Sequence, residues 1–231
     1  MPFSNSVYMK ALATFTELAF KLAGWYGSRE QNINGQDHLS IIIQITQAMD
    51  QLLKENLYEV FYSQFRGTLI GLNIRYKEYK GTPDEKEWIN NIIEDSADLL
   101  GLIKQTYETE VKDNLEHAVL TLGIYTDVIL FRATVMSERK HTYQMDRDKE
   151  IKDMLQDCKD KIDKMIEKKQ RIYENKKNIA DNCEEPEPTP GTLALSSCFL
   201  YENDAKIVHG ILINLNKQKE SIEKTISIIP V

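Results

Sequence analysis

The stretch AVLTLGIYTDVILFRATV, residues Ala118 to Val135, is apolar on every face except at Asp127 and Arg132. The segments before and after it carry an apolar stripe on one side only. A helix apolar all round must be enclosed, either by other helices or by lipid. The chain therefore reads as all-α, a six- or seven-helix bundle around a central apolar helix. It forms a single domain over 1–231 with a mobile loop at 181–200.

Working toward the N-terminus, the periodicity predicts a helix from Pro83 to about Tyr107 with Trp88, Ile92, Leu99/Leu100 and Ile103 on its core face. Gly81, Thr82, Pro83 and Glu85 supply its start: a left-handed stop, a capping box and a first-turn proline. Glu108 to Asp113 reads as a polar connection, with Asp113 and Glu116 capping the central helix. Earlier helices are predicted over Ser4–Tyr26, Asp37–Glu55 and on to Lys80. The last of these carries Phe65, Leu69 and Leu72 in an aromatic and aliphatic stripe.

Toward the C-terminus, a polar connection is predicted over Ser137–Asp146, then a long helix reaching Ala180. In it Ile151, Cys158, Met165, Ile172 and Ile179 recur every seven residues. The companion column begins as Leu155 and Ile162 but turns into Lys169 and Lys176, so the buried seam is expected to narrow. After a loop containing CEEPEPTPG, a final helix is predicted over Tyr201–Ile228. Cys183 and Cys198 bracket that loop and could close a disulfide, with reduced thiols an equal reading; Cys158 reads as a small core residue.

A net charge of −7, with no basic segment free of interleaved acids, argues against nucleic acid as a partner. The sequence contains no P-loop, Gly-x-Gly-x-x-Gly, His-Glu-x-x-His or Cys-x-x-Cys. A di-iron bundle needs two Glu-x-x-His pairs, and the chain has one, Glu138 with His141. Asp113 with His117 reads as a helix cap beside a surface histidine. No metal, cofactor or catalytic residue is expected, and the chain does not read as an enzyme. Asp127 and Arg132 are costly on a central helix unless paired. One reading gives each a partner on a surrounding helix; the other has them mark a water-lined face within a bilayer.

The order and lengths of these helices resemble the N-terminal helical domain of three-domain insecticidal delta-endotoxins. They also resemble the helical half of the larger component of Pir-type binary toxins. The likeness runs from roughly Gln36 to Asn178 and is strongest at VLTLGIYTDVILFRATVMSER. The resemblance implies a pore-forming bundle that inserts a helical hairpin, here 88–136, into a membrane. Trp88, Ile92, Leu99, Ile103, Leu122, Asp127, Leu130 and Arg132 would be its membrane-facing or pore-facing residues. Lipid on activation and further copies of the chain would be the partners. It also implies secretion or release from the producing cell, although the opening MPFSNSVYMKALATF has no basic n-region and no clear signal peptide is visible. The family continues into β-rich domains where this sequence stops at Val231, so the chain reads as a fragment or as a free-standing helical domain. The other function class consistent with the residues is a non-lytic helical module that binds a protein partner or a lipid.

Overall fold

A computed structural model describes residues 5–27, 35–54, 59–81, 86–143, 147–183 and 197–229. Seven helices follow one another: α1 (Asn5–Gly27), α2 (Gly35–Lys54), α3 (Glu59–Gly81), α4 (Lys86–Asp113), α5 (Leu115–Tyr143), α6 (Asp148–Asp181) and α7 (Ser197–Ile228). The fold is all-α with a buried central apolar helix, as the pattern of stripes predicts.

Every residue of α5 from Ala118 to Met136 is buried. It packs against α1, α2, α4, α6 and α7. The remaining helix, α3, closes the ring from outside by packing on α2 and α4. Neighbours around the ring touch in chain order, and α7 returns to α1. The exception is the step from α4 to α6. No Cα of α4 lies within 8 Å of one in α6 among the described residues, so a seam opens there beside α5. Side chains alone bridge it. Lys104 pairs with Asp157 at 3.5 Å, the Tyr107 hydroxyl donates to the Lys161 carbonyl at 3.5 Å, and the Lys168 ammonium donates to the Val111 carbonyl at 3.4 Å.

The branched side chains Val119, Leu122, Ile124, Val128, Ile129 and Leu130 supply the cohesion, each worth on the order of 2 kcal/mol when taken out of water. Thr126 and Thr134 turn their hydroxyls back to the Leu122 and Leu130 carbonyls, both at 2.8 Å. Their polarity is thus consumed within the helix itself.

Several boundaries differ from the sequence reading. The expected connection Glu108–Asp113 is helical to its end, because Thr106 and Glu110 continue the buried face of α4. A single residue, Asn114, separates α4 from α5. Its N–H closes α4 on the Glu110 carbonyl at 2.7 Å, and its side-chain oxygen accepts from the His117 N–H at 3.2 Å. Asn114 is therefore the N-cap, in place of the expected Asp113. Helix α5 extends through Tyr143, into the expected Ser137–Asp146 connection, and α7 begins at Ser197 rather than Tyr201.

Cys183 and Cys198 are joined by a disulfide across the α6–α7 connection, with their Cα atoms 5.5 Å apart. The loop between them, 184–196, lies outside the described residues, as do the side chains of Trp88, Glu138 and His141.

Candidate functional site: the sheathed helix and its ties

The span Leu115–Ser137 is long and apolar enough to cross a membrane by length and composition, and in this structure it is sheathed by the other helices. A core helix of a water-soluble bundle has the same properties. What distinguishes this one is the set of polar groups placed along it.

The hairpin residues Ile92, Leu99 and Ile103 of α4 and Leu122 and Leu130 of α5 are all buried in one continuous core. On the opposite side of α4, Glu94 and Asp98 are exposed, and Asp95 pairs with Arg75 of α3 at 2.8 Å.

Asp127 is completely buried, and neither carboxylate oxygen has a hydrogen-bond partner among the described residues. Burial raises its pKa well above the usual carboxylate range, so the core favours the neutral acid. One turn earlier on α5, a Cβ added at Gly123 would lie 3.1 Å from Phe15 of α1 and 3.4 Å from the Gln218 amide of α7. That amide donates to Thr16 at 3.3 Å, while the Gln218 carbonyl oxygen is unpartnered. Ser221 and Thr225 continue the buried polar face of α7, with their hydroxyls turned to the Lys217 and Ser221 carbonyls. The interface of α5 with α1 and α7 thus holds unsatisfied polar atoms, which cost free energy in a packed interior.

Arg132 is better provided for, with only its Nε unpartnered among the described residues. Its guanidinium donates to the Ile93 carbonyl and, at 3.0 Å, to the Ser96 hydroxyl of α4. It also pairs with Glu150 of α6 at 2.9 Å. Burial alone would raise the Glu150 pKa, but hydrogen bonds from Arg147 and Arg132 outweigh it and hold the carboxylate low. Of the two charged residues within the buried stretch Ala118–Met136, then, Arg132 finds partners on both neighbouring helices and Asp127 finds none among the described residues.

Further ties join α5 to its neighbours. Tyr125 donates to Asp157 of α6 at 2.8 Å, and Thr126 lies 3.5 Å from the Cys158 sulfur. Burial pushes the Cys158 thiol up to about 12, which leaves it an inert core residue. Near the α4–α5 corner, Thr121 donates to Glu110 at 2.5 Å, and burial raises the Glu110 pKa. His117 lies 3.8 Å from the other Glu110 oxygen, and burial lowers its pKa to about 4, so this contact is not an ion pair at neutral pH. Glu110 and Lys169 were not legible as buried polar residues. The one available signal was that Lys169 follows Leu155 and Ile162 at heptad spacing.

Among the described residues no group of three His, Cys, Asp or Glu side chains converges as a metal site. What the arrangement can do is hold a membrane-length helix under cover with a small number of breakable polar ties. Comparison with protein-family models, curated proteins and solved structures yields no match.

Proposed function

We propose that this protein is a membrane-active, pore-forming helical bundle that inserts its α4–α5 hairpin, residues 88–136, into a lipid bilayer. The reading assigns no catalysis and needs no cofactor. It takes the protein to be secreted or released and to assemble with further copies in the membrane. The observation that carries it is the character of α5: a membrane-length helix in which Thr126 and Thr134 satisfy their hydroxyls on its own backbone, with one unpaired acid, Asp127, in its packed face. Internal satisfaction of polar groups is what a hydrocarbon environment demands. The single-residue junction at Asn114 supports movement of α4 and α5 as one unit, and the open α4–α6 seam lies on the flank of that unit.

Release of an entrapped dye from liposomes tests this, across pH and after mild proteolysis. A reversible lock is available at Thr126, whose hydroxyl lies 3.5 Å from the Cys158 sulfur. Thr126→Cys, oxidised onto Cys158 during refolding while both thiols are reachable, should suppress leakage relative to wild type. Reductant should restore it, with reduced wild type as the control for Cys183–Cys198. Absence of leakage from the unlocked protein under every condition overturns the proposal.

The ties to α6 through Tyr125–Asp157, Arg132–Glu150 and Glu116–Lys169 favour a second reading, a static helical module that binds a protein partner or a lipid without lysis. A stoichiometric ligand in native mass spectrometry, together with intact liposomes, would favour it over the first.

A further inference from the structure

We infer that the α4–α6 seam binds a zwitterionic phospho-amine head group, an alkyl phosphate joined to an ammonium. The inference goes beyond the pore-forming reading and does not depend on it.

Between the Tyr107–Lys161 and Val111–Lys168 bridges the seam opens into a groove of about 390 Å³. That volume is in the range of small-ligand sites. Its two walls differ in sign. The α6 wall presents Lys164, Lys168 and Arg171, spaced to share one helix face. Lys164 and Arg171 have no ion pair among the described residues, and Lys168 commits one donor of its ammonium to the Val111 carbonyl. Elsewhere on α6, Lys159, Lys161, Lys169 and Lys176 each have a carboxylate partner, and Lys149, Lys152 and Lys177 have none among the described residues; what sets Lys164, Lys168 and Arg171 apart is that they line one groove together. A cluster of unpaired cations on a chain of net charge −7 is a local positive field.

The α4 wall presents Glu108 with the Tyr107 ring and Val111. Tyr107 is held by burial, 5% exposed, with its hydroxyl 3.5 Å from the Lys161 carbonyl, so a small fixed part of its surface lines the groove. Glu108 has no ion pair among the described residues either. A carboxylate beside an aromatic ring attracts an ammonium, by charge and by the ring quadrupole. A simple anion fits less well, because Glu108 faces the cations and Glu167 stands among them on α6. A ligand with a phosphate and an amine satisfies both walls, and its methylenes lie on Tyr107 and Val111. The head group can come from a phosphatidylcholine membrane or from a free phospho-amine.

Calorimetric titration of the full chain with phosphocholine tests this, with inorganic phosphate and choline as half-ligands. Phosphocholine should bind at least about tenfold tighter than either half. Glu108→Gln should weaken it by about tenfold, the loss expected for one charge-assisted contact, and the double variant Lys164→Ala/Arg171→Ala by at least that much. These side chains are exposed, so an unchanged melting temperature shows that the variants fold. Cosedimentation with phosphatidylcholine vesicles then separates the sources. Pelleting that the double variant loses identifies the lipid, and soluble binding without pelleting identifies the free phospho-amine. Inorganic phosphate binding as tightly as phosphocholine, an unaffected Glu108→Gln, or no binding of phosphocholine would each overturn the inference.

Discussion

Lys169 of α6 and Glu116 of α5 form an ion pair of 2.5 Å in which the lysine side chain is 0% exposed and the glutamate 42%. The two partners are therefore unequal. Removing the carboxylate strands a buried ammonium, whereas removing the lysine leaves a glutamate that water can reach. Glu116→Gln should destabilise the protein by about 2 kcal/mol, and Lys169→Met should cost less than about 1 kcal/mol. Urea melts of the two variants read the difference, and equal losses would refute the asymmetry.

Asp127 and His117 give the stability opposite dependences on pH. The folded-state pKa of Asp127 is raised, so between its unfolded and folded values the native state binds the extra proton. Stability then falls with rising pH at about 1.4 kcal/mol per unit across that window. Asp127→Asn removes this slope and should stabilise the protein at neutral pH. Denaturant melts at about pH 5 and about pH 7 should show a larger gain at the higher pH.

His117 is lowered from 6.5 to about 4, so the unfolded chain binds the extra proton in that interval. Its contribution is fully present above about pH 6.5 and is lost as pH falls toward 4. His117→Asn should flatten the acid limb of the stability profile and leave the neutral region unchanged. A wild-type slope retained in that variant would place the acid response elsewhere.

Arg132 joins α4, α5 and α6 through its planar fork, and a lysine cannot reproduce those directions. Arg132→Lys should cost about 2 kcal/mol of stability. If the hairpin inserts as proposed, the same variant should leak dye from liposomes faster than wild type.

Two helical glycines should respond oppositely to alanine. At Gly210 a new Cβ meets only the terminal methyl of Met9, at 2.8 Å, and that flexible tail can rotate away. Gly210→Ala should therefore gain most of the helix-propensity term of about 1 kcal/mol. At Gly123 the Cβ would press on the Phe15 ring and the Gln218 amide in the packed core, so Gly123→Ala should gain nothing or lose stability. Thermal melts of the pair compare them directly.

The architecture was readable because apolar periodicity survives in the surrounding helices, and because Ala118–Val135 lacks a polar face. The corner was misread for a physical reason. Thr106, Glu110 and Thr121 are polar by type yet buried: Thr106 bonds the Leu102 carbonyl of its own helix and Thr121 donates to Glu110 across the corner, a cross-helix pairing that a linear pattern does not reveal. Lys169 looked like the end of a buried column and is instead its last member, made tolerable by Glu116. The sequence reading recognised that Asp127 and Arg132 need partners. Only coordinates could tell that Arg132 is clasped and that Asp127 has no partner among the described residues.

The covalent link between Cys183 and Cys198 closes a ring across fifteen positions of sequence. A peptidase cutting anywhere inside that ring would yield two polypeptides still stitched into one molecule. Such a nicked species would keep its native mass on a non-reducing gel and separate only with a thiol. Digestion of the ring would thus be invisible to size alone, and α7 would remain tethered to α6 after the cut.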